Sequence, residues 1–298
     1  MEILLSEANY LHLFAVSKKK AMKKLSIYLP LILLLIMQSC DDDYESPSAD
    51  LEINIEYYYG NGGSFFNGSF HTIEYEEAGG KEVDTLRIDK IKYYVSNFEL
   101  VGNDLSGKEI NYKAPEDANY FLLEYTNPGV ESTFLLKNLP EGDYHTMTFY
   151  VGVDSLKSTA GIDERTGVLD VIENAEMYWT WNSGYIFFKL EGTSPQAPEV
   201  NGKNPITYHI GGFGGYETQT NNNLRKITLN FGQNSEIRST SSIDSDVFLD
   251  LDVKKIFNSA HILRPAEYNT ITMPTEASTK VADNIQEAFR YNHVHNYE

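Results

Sequence analysis

The segment Leu51-Glu52-Ile53-Asn54-Ile55-Glu56-Tyr57 alternates apolar and polar side chains without a break, and Met147, Phe149, Val151 and Val153 alternate in the same way with Thr148, Tyr150 and Gly152. A period of two predicts strands with one face buried. Further strands are expected over 88–100, 134–137, 185–190, 206–210 and 227–231, separated by turn residues such as Gly60-Asn61-Gly62-Gly63, Gly79-Gly80, Asn127-Pro128-Gly129 and Leu139-Pro140-Glu141-Gly142. Helical spacing is scarce, with 253–258 and 281–290 the best stretches. Strands at this density, with 21 tyrosines to fill a core, predict an all-β domain: an antiparallel β-sandwich or open Greek-key barrel with a few short helices, occupying residues 51–298. No internal repeat or long linker divides it.

The beginning of the chain follows a different pattern. Lys18-Lys19-Lys20 and Lys23-Lys24 precede an apolar run from Leu25 to Met37, broken only by Ser26 and Pro30, and Gln38-Ser39-Cys40 follow. The run is too short for an ordinary transmembrane helix and has the charge order of a secretory signal. Residues 1–39 are therefore read as a signal peptide, with Met22 the more natural start and residues 1–21 an over-long extension. Cys40 is the single cysteine, so no disulfide forms within the chain. Its place after a small residue at the end of the apolar run resembles the bacterial lipobox, which implies lipidation at Cys40 and a membrane anchor. Asp41-Asp42-Asp43 beside it resembles the acidic export tag of Bacteroidota outer-membrane lipoproteins. Residues 40–50 are then a lipid-anchored tether, and the expected location is the outer membrane, facing the periplasm or the cell surface.

Charge narrows the partners. Residues 1–39 carry five Lys and two Glu, so their removal takes the formal charge from −19 to −22. Such a chain is poorly suited to nucleic acid or to direct binding of anionic lipid, and well suited to cations.

Candidate chemistry concentrates in two neighbouring stretches. Met177-Tyr178-Trp179-Thr180-Trp181-Asn182 holds both tryptophans of the protein, and on a strand it would set Met177, Trp179 and Trp181 on one face. Tyr208-His209-Ile210-Gly211-Gly212-Phe213 follows closely. His209 lies opposite the apolar face formed by Ile206, Tyr208 and Ile210, so core packing does not explain it. Gly211-Gly212 permits positive φ and a close backbone approach beside it, which makes His209 a candidate ligand. Of the other histidines, His293 and His295 share one side of an extended segment and form a candidate metal pair, whereas His145 reads as a satisfied strand histidine and His261 as a solvent-side residue. HExxH and CxxC are absent. Calcium in the acidic stretch from Asp154 to Asp170 is a weaker candidate, because irregularly spaced carboxylates do not define an oxygen cage. With no nucleophile elbow and no phosphate loop, the chain is not read as an enzyme.

Taken in order, Lys92-Tyr93-Tyr94-Val95-Ser96-Asn97, Gly152-Val153-Asp154-Ser155, Gly167-Val168-Leu169-Asp170, the Met177 to Tyr185 run, Lys189-Leu190-Glu191-Gly192 and Tyr208-His209-Ile210-Gly211-Gly212-Phe213 resemble the MbnP-like family across roughly residues 50–296. The stretch from Asp283 to Asn296 is similar to the tail of Bacteroidota members. The resemblance implies copper binding by a periplasmic or surface β-protein, in some members through a tryptophan oxidised to kynurenine by a di-haem cytochrome c peroxidase-like partner. Trp179 and Trp181 match the family's W-x-W and become the candidate kynurenine sites, with Trp179 favoured. His209 matches its HxGG histidine. His71 falls where some relatives carry an early histidine ligand, although Ser69-Phe70-His71-Thr72 matches poorly. The alternative from the composition is a surface glycan-binding lipoprotein, in which exposed Trp and Tyr stack on sugars.

Overall fold

The computed structural model describes residues 48–297, apart from residues 61–62, 66–67, 78, 126–131, 181–183, 216–217, 233–236, 241 and 243. The signal-like segment, Cys40 and Trp181 thus lie outside the described residues. In chain order the strands are β1 (Ser48–Tyr59), β2 (Gly63–Ser64), β3 (Phe70–Glu77), β4 (Gly80–Asn103), β5 (Glu109–Lys113), β6 (Tyr120–Tyr125), β7 (Ser132–Pro140) and β8 (Gly142–Val151). They continue with β9 (Ile186–Thr193), β10 (Pro205–Gly211), β11 (Arg225–Asn230), β12 (Ile237–Ser239), β13 (Asp244–Asp252), β14 (Thr270–Ile271) and β15 (Phe289–Tyr297). Two α-helices accompany them, α1 (Ser155–Thr159) and α2 (Glu276–Ala288).

These strands form two sheets. The smaller runs β15-β13-β1-β2, with β7 also paired to β1; the larger runs β11-β8-β4-β9-β10-β14, with β3, β5 and β6 added on β4 and β12 on β8. Alternation decides which side chains meet between them. Leu51, Ile53 and Ile55 of β1, Ile91, Tyr93 and Val95 of β4, and Ile206, Tyr208 and Ile210 of β10 point inward and join one buried cluster. β4 can serve so many neighbours because irregularities at 88–90, 96–99 and 101–102 bend it along its 24 residues. The β-sandwich is thus as the alternation predicts, with one difference: β1 with β13 and β10 with β14 pair in parallel. Parallel partners need long crossovers, which no local pattern marks.

Helix α2 starts five residues earlier than the apolar spacing alone indicates and ends two residues sooner. Thr275 and Ser278 close a capping box at its start. Val281, Ala282, Ile285 and Ala288 then face the core, and Phe289 passes directly into β15.

A second apolar cluster lies on the outer face of the larger sheet. Residues 152–180 cross this face as α1 and three 3-10 turns, Ile162–Glu164, Gly167–Leu169 and Ala175–Met177, and Tyr185 lies with them. Val153, Leu169, Met177 and Tyr185 of this roof pack against Tyr94, Ile186, Phe187 and Phe213. Arg165 pins the roof from inside. Its guanidinium donates to the carbonyls of Ser158 and Ala160 and to the Tyr178 hydroxyl, and it lies over the rings of Tyr178 and Tyr185.

The expected strand through Met177 and Trp179 is not present. Met177 ends a 3-10 turn, closed by the Tyr178 N–H to the Ala175 carbonyl at 3.3 Å, and only an isolated bridge joins Tyr178 to Tyr185. Gly184, at φ +65, carries the return of the chain in a left-handed conformation. Packing of the aromatic rings onto the sheet below outweighs the intrinsic strand preference of these residues.

Candidate metal centre

The outer face beneath the roof carries a row of charged residues that ordinary strand burial would exclude. Cross-strand register aligns Glu124 of β6, Lys92 of β4, Lys189 of β9 and His209 of β10. Glu176, in the last turn of the roof, closes over this row. It accepts from Lys90 and Lys92, and Lys189 donates to its backbone carbonyl at 2.9 Å. Those two lysine ammonium groups hold the Glu176 carboxyl down at about 2.

His209 stands at the end of the row with its side chain 20 % exposed. Its Nε2 is 2.8 Å from Oε1 of Glu191. An ionised carboxylate only accepts, so Nε2 carries the proton and Nδ1 keeps its lone pair. Burial lowers the His209 pKa and nearby Lys189 adds to this, while the hydrogen bond to Glu191 opposes it. The net effect favours the neutral imidazole, the form that ligates metals. A groove of about 600 Å3 lined by Phe70, Arg87, Glu191, Lys203 and Thr207 opens at the start of β10.

Trp179 reaches the Gly211 end of β10 from the roof. Its backbone N–H donates to the Gly184 carbonyl at 2.8 Å. Its indole packs above Gly211, where a Cβ would lie 2.9 Å from Cζ3 and would run into the Tyr185 carbonyl oxygen. His209 and Gly211 share one face two residues apart, about 7 Å along the strand. Gly212 follows at φ +107. The two glycines therefore act as their pattern predicts: the first admits the ring and the second turns the chain.

The other sequence candidates lie elsewhere. His71 belongs to β3 on the core-facing side, in register with buried Leu86, and stacks between Tyr59 at 4.6 Å and Phe65 at 5.1 Å. The sheet itself thus separates it from His209. His293 and His295 lie on β15 of the smaller sheet, again apart from His209. Two carboxylates of the proposed calcium stretch have other partners: Asp154 caps α1 through the Lys157 N–H and accepts from the Asn97 amide and the Tyr120 hydroxyl, and Asp170 accepts from the N–H groups of Ile172 and Glu173. Among the described residues no group of three His, Cys, Asp or Glu side chains converges as a metal site.

Glu191, Lys189 and Glu176 were not singled out from the sequence. Two of the three had a signal. Lys189 is a lone charge in the otherwise apolar run from Ile186 to Leu190, and its side chain is only 8 % exposed. Glu191 follows it on the same face. Glu176 had none, because it meets the lysines only once the roof folds back.

The sequence matches the family model described as MbnP over residues 48–277. The chain belongs to the MbnP family. No curated protein sequence matches it. Among solved structures, MbnP from Methylosinus trichosporium is similar at 18 % identity with a TM-score of 0.45, covering 72 % of this chain and 80 % of that one. The MbnP match spans both the roof and β10, so the face holding Trp179 and His209 falls within the family domain, whereas His293 and His295 fall beyond it.

Proposed function

We propose that this protein binds copper on the outer face of the larger sheet, as a lipid-anchored handling or acquisition protein. Membership of a family associated with copper supports the metal. The observation that carries the location is the approach of Trp179 to the strand end that bears His209, through the space left by Gly211. His209 offers Nδ1, oriented by the Glu191 carboxylate as outer partners of metal-bound imidazoles commonly are.

An unmodified face fits copper incompletely. It supplies one imidazole and one carboxylate, and an indole N–H has no lone pair for a metal. Oxidation of Trp179 to kynurenine supplies the missing donors, an aromatic amine and a ketone. In that conversion the indole ring opens, with one oxygen gained and one carbon lost overall. A di-haem peroxidase acting with peroxide is the oxidant in this reading. The half-buried indole lies at the outer margin of its cluster, where a partner can take an electron from it without entering the fold. Imidazole with an aromatic amine suits copper better than hard cations.

Peptide mass spectrometry of protein isolated with its native peroxidase tests this proposal. The expected result is the kynurenine mass on Trp179. Intact tryptophans at both 179 and 181 in that material would refute the modification and leave too few donors on this face.

A further inference from the structure

On the opposite side of the molecule, β15 presents two imidazoles that the proposed copper face does not use. His293 and His295 project from the outer face of the smaller sheet, with ring centroids 4.7 Å apart and planes inclined at 56°. Phe248 of β13 stacks on His293 at 4.3 Å and 5°. The Tyr297 hydroxyl lies 2.7 Å from Nδ1 of His295. Each ring is therefore held by a neighbour of its own.

We propose that His293 and His295 form a second, solvent-facing site for a divalent first-row transition cation, with water completing the shell. A metal about 2.0–2.1 Å from each of two nitrogens needs those atoms roughly 3 Å apart. Ring nitrogens lie about 1 Å from their centroids, so rings at 4.7 Å reach that spacing by small rotations rather than by movement of the backbone. When Nδ1–H of His295 donates to the Tyr297 oxygen, Nε2 is left with its lone pair. The surrounding charge favours a cation: Asp246 is directly across from His295, Glu52 is the next residue in that row, and Glu56 and Asp250 share the same outer face. Among the described cations near this face, Arg290, Lys137 and Arg238 are each paired, with Asp250, Asp50 and Asp143 respectively. Two imidazoles select transition metals over magnesium or calcium, and the usual order places Cu2+ above Ni2+ and Zn2+.

The test is calorimetric titration of the full chain, purified without a histidine tag, using Ni2+ as the probe. The expected result is one site whose affinity falls at least tenfold in His293→Asn and in His295→Asn, and which disappears in the double variant. His209→Asn should leave it intact. Tyr297→Phe should weaken it severalfold, since that ring would lose its orienting partner, and far-UV circular dichroism confirms that each variant retains its strands. Ni2+ binding that survives the double substitution, or that is lost in His209→Asn instead, would overturn the assignment. Loss of copper binding at His209 has no bearing on it, so the two sites fail separately.

Discussion

His209 and the His293–His295 pair both project from outer faces of sheets, yet their surroundings differ. His209 is largely buried, hydrogen-bonded to a carboxylate, and in register with Lys189 and Lys92, whose charges pair with Glu176 of the roof. Among the described residues no roof covers His293 and His295, which are held by one stacked ring and one hydroxyl. The difference shows what residues outside regular strands contribute. A strand places a side chain on a face and a neighbouring strand can fix which nitrogen bears the proton, as Glu191 does for His209, but a second layer is needed to bring in a donor from far along the chain.

Loosening the roof should separate the two regions most clearly. Arg165 is buried, with four hydrogen bonds from its guanidinium. Arg165→Met leaves the Ser158 and Ala160 carbonyls and the Tyr178 hydroxyl without this donor, at a cost of about 3 kcal/mol. Urea denaturation reads the loss, limited proteolysis should localise it to residues 155–185, and Ni2+ binding at His293 and His295 should not change. Gly211→Val comes next, at about 1–3 kcal/mol, because its side chain must displace the Trp179 ring and the Tyr185 carbonyl. A changed tryptophan emission should accompany that loss.

Smaller effects come from charge. Glu176→Gln removes the carboxylate shared by Lys90, Lys92 and Lys189, and a loss of about 1 kcal/mol is expected at this partly exposed network. With its folded value near 2 against an ordinary 4.5, Glu176 contributes stability above pH 4.5 that disappears as pH falls towards 2. His209 acts in the same direction in a milder range. Its value is lowered from 6.5, so the unfolded chain takes up the proton more readily, and stability declines as pH drops below 6.5. Denaturation curves at stepped pH should show both declines, the first missing in Glu176→Gln and the second in His209→Asn.

Much of this arrangement was legible in the sequence, for particular reasons. The alternation around Leu51 and around Ile206 identified inward faces correctly because each strand has one buried side. By the same period, His209 was placed outside the core, and Gly211-Gly212 marked the close approach. The run from Met177 to Tyr185 reads as a strand because aromatic residues favour strands, while the packing partner Tyr94 lies 83 residues before Met177. His71 entered only through the resemblance, in surroundings that match poorly, and the register of β3 turns it to the other side of the sheet from His209. Glu176 could not be anticipated, since its partners on β4 and β9 are distant along the chain.

The roofed face, not the histidine pair on β15, should hold copper most tightly. The direct measurement is copper titration of protein isolated with its native peroxidase, in a His293→Asn/His295→Asn background, with and without His209→Asn. The account predicts that copper binding persists in the background variant and weakens by on the order of 100-fold or more when His209 is also replaced. Equal copper affinity with and without His209 would contradict it.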